Sequence, residues 1–455
     1  MRSKEVLLSR PDYQSLRDPS RFSWSVGSTY LALLEATGIP LHAFYTDPDA
    51  GIEAYRRGRP LLAEMYGPDV ALPAPATPPV SYGHVSGLGM DLVFPEGGEV
   101  NYVRSDRSVR DWIPVLERPV DWAHAGMLPS FLEYRERMQK ALPGEEVKLS
   151  WGHEGPLTTA YEMLDFRAFT APYDEPEDFR RFLRLATDSI VDFIRFMNRL
   201  RGQPEVNPKS GGLSDDCSSM FGHDLWPEFV MPAWERYFSG ITTGDRTAHV
   251  EDLREAQLPF LEEIGLVSYD PSVSAKLNPA LIARTIRVPF GWRLVNFHYQ
   301  TMNERDIRDW VFQAAADGAS SVFTFVCSMM CNETMVAKVH AFIEAAKEAK
   351  RLIEGGAVRE DLRREVSAAG RKRFWAEWPL GGPRGGGHEK RAGPRRMDPR
   401  APGRRGGRPL WRLSAPFGRG EARPLGRLGQ GGRAPGARGP GHQQPRGDPG
   451  PPVQS

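Results

Sequence analysis

The sequence predicts an α/β protein, a parallel (β/α)8 TIM barrel with N-terminal additions and a disordered C-terminal tail. Three observations lead to that class. From about Val147 onward, short strand-like runs alternate with amphipathic helical ones, the order that builds a parallel sheet covered by helices. The later strand-like runs are short and apolar, as strands buried on both faces require. No glycine-rich phosphate turn follows a first strand, so an open doubly wound sheet is disfavoured.

The elements follow in order. "FSWSVGSTYLALLEATG" and "PDAGIEAYRRGRPLLAEMYG" are helical by pattern and belong to additions within residues 1–146, which must also supply the early strands. "VKLSW" (147–151) is a strand, "GHEGP" a turn and "LTTAYEML" a helix. A long helix is expected over roughly 176–201. Phe179, Phe182, Leu183, Ala186, Ile190, Phe193, Ile194 and Met197 share one stripe there, with acids at the start. "SGGLSDD" ends in a turn. "LWPEFVMPAWERYF" reads as the next helix, with Pro227 near its first turn and Pro232 bending it. "RTAHV" is a strand. Leu253, Ala256, Phe260, Leu261 and Ile264 then line one helical face, which Pro259 interrupts. "LVSYD", "WRLVNFHY" and "SSVFTFVC" are strands. "NPALIARTI", "ERDIRDWVFQAAADG" and "ETMVAKVHAFIEAAKEAKRLIEGG" are the helices that alternate with them.

The chain changes character near Gly370. Overall it holds 59 basic and 58 acidic residues, but residues 371–455 carry 19 basic against 5 acidic, leaving 40 against 53 before them. The tail also contains 20 of the 46 glycines and 14 of the 40 prolines. It lacks the apolar periodicity that offsets the entropy of ordering a chain, and disorder is expected. Its composition fits a GC-rich frame read past its usual stop better than an RNA-binding arm, and basic charge alone implies only nonspecific phosphate contacts. The domain expectation is a barrel over 1–356, a linker over 357–370 and the tail over 371–455. No run approaches the ~20 apolar residues of a membrane span, and the N-terminal apolar run is short for a signal peptide. Cys217, Cys327 and Cys331 cannot make a disulfide framework and suit a reducing cytoplasm.

In a barrel of this kind the reacting groups gather at the carboxyl ends of the strands. Those ends carry His153 and Glu154, then Asp215, Asp216 and Cys217, then His249 and Glu251. Tyr269 with Asp270, His298 with Tyr299, and Cys327 complete the rim. Taken singly, a strand-end aspartate is as well explained as a helix cap and His298 as a structural histidine. Convergence on one rim is the stronger signal. Successive side chains on an extended segment alternate direction, so Asp216 is expected inward and Asp215 in a capping or structural role.

Residues about 20–355 resemble the uroporphyrinogen decarboxylase superfamily, which includes porphyrinogen decarboxylases and cobamide-dependent methyltransferases. "GHEGPLTTA" is similar to the family's Gly-x-x-x-Pro turn, and "DDCSSMFGHDLWPEFVMPAWERYF" to its Asp-Asp loop and proline-bearing helix. "HVEDLREAQLPFLEEIG" resembles the H-x-C-G segment, and "SSVFTFVC…VHAFIEAAKEA" the last cysteine-bearing strand and helix. The arginine-bearing R-Q-A-G-R segment of porphyrin-pathway members has no counterpart near "SRFSWSVGSTYLALL". The guanidiniums that pair with an octacarboxylate are therefore missing there.

The resemblance to methyltransferase members implies a zinc site of His249, Glu251 and Cys327, with Glu251 where the family has its first cysteine. Three protein ligands leave a fourth position open, and a thiol held there becomes a nucleophile. Cys331 is the competing thiol. A corrinoid, possibly carried by a partner protein, would then bring the methyl group. Asp216 would orient the thiol or a water, and His153, Glu154, Tyr269 and His298 would contact a small-molecule or tetrapyrrole substrate. Two alternatives stay open. One is a decarboxylase in which Asp216 stabilises positive charge and His249 donates a proton. The other is a non-catalytic binding protein on the same barrel, with Glu251 merely opening a helix.

Overall fold

The computed structural model describes residues 11–272 and 274–371. The tail expected to be disordered lies outside the described residues except for Arg371. Nine strands are described: β1 (Ser23–Ser28), β2 (Val70–Ala71), β3 (Leu92–Val93), β4 (Asn101–Tyr102), β5 (Ser210–Ser214), β6 (Asp245–His249), β7 (Leu266–Asp270), β8 (Gly291–Leu294) and β9 (Ser321–Val326). β3 and β4 form a small antiparallel hairpin outside the barrel.

The other strands run parallel, in the orders β5-β6-β7 and β2-β1-β9-β8. A bridge between Tyr269 and Phe290 joins the two sheets. Residues 76–80 continue from β2 and pair in parallel with 147–151 through Ala76–Lys148 and Val80–Trp151. The Gly155 N–H donates to Ser214 O at 2.6 Å and closes the seam to β5. The eight barrel positions are therefore β1, 70–80, 147–151, β5, β6, β7, β8 and β9. This is the (β/α)8 barrel expected from the alternation of strand and helix.

The long helix is Pro176–Leu200, and its stripe is buried from Phe179 to Met197 with Ile194 partly so. Three readings need correction. "FSWSVGS" is not helical: residues 23–28 form β1, paired along their full length with β9, and the helix begins only at Tyr30. Pairing with a buried neighbour overrides a local helical pattern. "WRLVNFHY" is a strand only to Leu294, after which Asn296–Thr301 is a short helix. Residues 357–370 are not a bare linker. Helix Arg359–Glu365 packs with Leu362 and Val366 buried, Arg363 pairs with Asp317 at 3.0 Å, and Ser367 N–H bonds Asp309.

Pro259 does restart the chain, dividing a short 3-10 turn (Glu255–Gln257) from helix Pro259–Glu263. Near Pro232 a wide π turn, Trp226–Val230, leads into helix Met231–Ile241. Among the described residues no helix is long and apolar enough to cross a membrane.

Candidate metal centre and active site

The two acids after β5 part company. Asp215 turns into the core and is fully buried. Its Oδ1 accepts the Thr158 N–H at 2.7 Å and its Oδ2 accepts Trp234 Nε1–H at 2.6 Å. It thus ties the start of helix Pro156–Leu164 to helix Met231–Ile241. A Cβ on Gly155 would lie 2.5 Å from the Asp215 Cβ, so the "GHEGP" turn needs glycine for this close approach. Asp216 faces the mouth, and its Oδ1 accepts the Glu251 N–H at 2.9 Å.

Strand register brings the next groups together. Ser214 stands opposite His249, and His249 opposite Asp270. His249 Nδ1 lies 2.8 Å from Asp270 Oδ2, while Asp270 Oδ1 accepts the Ser272 N–H at 2.7 Å. An ionised Asp270 accepts a proton at Nδ1, which leaves the Nε2 lone pair facing the mouth in neutral His249. Nε2 lies 3.8 Å from Asp216 Oδ1 and 3.9 Å from Glu251 Oε1. Asp252 and Ser272, just beyond Glu251 and Asp270, hold positive φ of 57° and 46°. Such backbone is costly for non-glycine residues and tends to gather where a site must be held in shape.

Charge follows from this crowding. Burial opposes a charge on His249, but the Asp270 hydrogen bond and the charges of Asp270, Asp216 and Glu251 outweigh it and raise its pKa. Asp216 is raised by burial, against the pull of the Glu251 N–H and of His249. Glu251 is raised by burial, against a hydrogen bond with Ser272 and with help from the Asp216 charge. A cation between them would relieve the crowding of the two carboxylates.

Other expected site residues are placed differently. Cys327 stands at the end of β9, three barrel positions from β6. The group whose donor atoms all lie within 4.8 Å, among the described residues, is Asp216, His249 and Glu251. The expected His249/Glu251/Cys327 set is therefore not assembled, and Asp216 takes the third place. The cysteine loop folds instead onto helix Tyr30–Thr37, where Met330 N–H donates to Glu35 Oε2 at 3.1 Å and Cys331 Sγ lies 3.6 Å from Ala32 O.

Tyr269 is fully buried, its hydroxyl donating to Val250 O at 3.0 Å, so it supports the loop of Glu251 rather than a substrate. His153 Nε2 is 3.0 Å from the Tyr237 hydroxyl, and burial, then the charge of Arg201, lowers its pKa to about 4. It is a neutral wall residue. His298 sits on the short helix after β8, its ring against Phe297. Glu154 alone of these four stands in the electrostatic reach of Asp216; burial and then the Asp216 charge raise its pKa to about 7. Glu162 went unnoticed in the sequence because it lies on a helix buried on nearly every side. An acid with no polar face around it was the available signal.

The donors suit a divalent cation. Ligand atoms ~2.0–2.2 Å from a tetrahedral zinc stand about 3.3–3.6 Å apart. The observed 3.8 and 3.9 Å need only a few tenths of an ångström of closure. A carboxylate on the far nitrogen of a ligating histidine is the usual support for such a ligand, and Asp270 occupies that place.

Residues 82–349, more than half of the chain, match the model of the uroporphyrinogen decarboxylase (URO-D) family. The chain belongs to that family. Among solved structures this URO-D family member is similar to a methyltransferase from Methanosarcina mazei, with a TM-score of 0.52 and 16% identity. The alignment covers 72% of this chain and 94% of the other. At that identity the likeness speaks for the fold. No curated protein matches the sequence significantly.

Proposed function

We propose that this URO-D family protein is a metal-dependent methyltransferase, moving a methyl group from a corrinoid to a thiol at the Asp216–His249–Glu251 cluster. The observation that carries the reading is the Asp270–His249 hydrogen bond, which aims Nε2 at the gap shared by two carboxylates. Asp216 and Glu251 supply oxygen donors and His249 a nitrogen, with zinc the first ion to test. Bound there, zinc would supply the Lewis acidity that lets a thiol lose its proton at neutral pH. Glu154, with its pKa near neutrality, is suited to take up a proton beside the cluster. The name of the structural neighbour supports transfer over decarboxylation. So does the want of a matching arginine segment, since the groups around the site are carboxyls.

Decarboxylation is the second reading, favoured by the raised pKa of His249, which equips it as a proton donor. Metal analysis of protein purified without an affinity tag divides the two. The proposal expects bound zinc in the parent and in Cys327→Ser, and little in His249→Ala or Asp216→Asn. It also expects zinc-dependent loss of the methyl group from methylcobalamin in the presence of a small thiol. A zinc-free parent that releases carbon dioxide from a carboxylated substrate would overturn it.

A further inference from the structure

Beside the cluster lies a second group of polar side chains that the proposed chemistry leaves unused. Glu162, on helix Pro156–Leu164, is 4% exposed, and its Oε1 has no hydrogen-bond partner among the described residues. A buried acceptor left unpaired is costly. The charged groups acting on it are Glu154 and Asp215, both carboxyls. Glu162 acts in turn on Tyr82 and Tyr102. These two rings meet edge to face with centroids 4.9 Å apart. Tyr82 also feels Glu154 and Glu99. Glu99 accepts the Tyr30 hydroxyl at 2.6 Å.

An anionic or neutral acidic ligand would add repulsion or an unpaired acceptor to this corner. A protonated amine would answer each feature at once. Its N–H gives Glu162 Oε1 a donor, its charge offsets Glu154 and Glu162, and its alkyl groups meet the faces of tyrosines, which attract cations. The acidic lining would also concentrate cations at the mouth.

We propose that Glu162, Glu154, Tyr82 and Tyr102 form a subsite for an alkylammonium group of the substrate, next to the Asp216–His249–Glu251 cluster. The inference rests on reading that cluster as the reaction centre, and it narrows the substrate class to cationic amines. No bond is made or broken in the subsite; it orients the substrate toward the cluster.

The test is titration calorimetry on the full chain with butylammonium, tetramethylammonium and butanoate, with zinc content measured in the same samples. Butylammonium should bind, tetramethylammonium more weakly because it has no N–H, and butanoate not at all. Glu162→Gln should weaken butylammonium binding about 10–100-fold, the range for losing a charge-assisted hydrogen bond, and leave zinc unchanged. Tyr102→Leu, on the outlying hairpin, should weaken both cations and also leave zinc unchanged. Binding of butanoate in preference to butylammonium, or equal butylammonium affinity in the parent and either variant, overturns the subsite. Asp216→Asn separates the two ideas: it should lose zinc and keep butylammonium binding. A parent that holds zinc but binds no butylammonium refutes the subsite alone. A parent that binds butylammonium without ever holding zinc refutes the metal reading alone.

Discussion

Asp215→Ala should destabilise the barrel in a manner that depends on pH in an unusual direction. The substitution strands two buried donors, the Thr158 N–H and Trp234 Nε1–H, which now reach Asp215 at 2.7 and 2.6 Å. At ~1–3 kcal/mol for each unsatisfied group, the loss is ~2–6 kcal/mol. Against it stands the burial of the carboxyl itself, which raises the pKa from 3.8 to about 7 despite those hydrogen bonds. The sign follows from linkage. The folded state holds the proton more tightly than the unfolded one, so the contribution of Asp215 is fully present below pH ~3.8. It is lost as pH rises through about 7. That loss amounts to roughly 4 kcal/mol at 1.36 kcal/mol per pH unit. Removing the side chain should therefore cost most near pH 4–5 and progressively less toward pH 8. Urea denaturation of metal-free protein across that range measures it. A cost that grows from pH 5 to pH 8 would mean that the buried carboxylate is stabilised as an anion, and the argument would be wrong. Asp216→Asn, made at the adjacent but half-exposed position, should change stability by less than ~1 kcal/mol at every pH, as surface changes usually do.

Two further outcomes are expected. Asp270→Asn keeps the size of the side chain but removes the charge behind His249, and should lower zinc affinity ~10–100-fold in a chelator competition; unchanged affinity would place the ion elsewhere. Gly155→Ala drives a methyl group to 2.5 Å from the Asp215 Cβ and 2.7 Å from Ser214 O. It should cost ~1–3 kcal/mol in stability, and a neutral substitution in thermal denaturation would show that the turn relaxes freely.

Local pattern carried much of this protein. The 3.6-residue stripe of Pro176–Leu200 and the short apolar runs of β7 and β9 needed no knowledge of distant residues, since each reflects a face its own segment must bury. Alternation along an extended segment was enough to separate Asp215 from Asp216. The same reasoning failed at Trp24 and Val26, where the partner that makes β1 a strand is β9, some 300 residues away in the chain. It failed again after Leu294, where an apolar run bends into a helix.

The sequence by itself determined the barrel, the rim on which its reactive side chains gather and the identity of His249 and Glu251 as candidates. Tertiary structure decided which of those side chains meet. Parallel register sets Ser214 against His249 and His249 against Asp270, so donors on neighbouring strands converge. The loop of Cys327 instead binds the helix after β1. Periodicity reports which face a residue takes within its own element. The distance between two faces depends on register and loop path, which are long-range properties that a single run of residues does not encode.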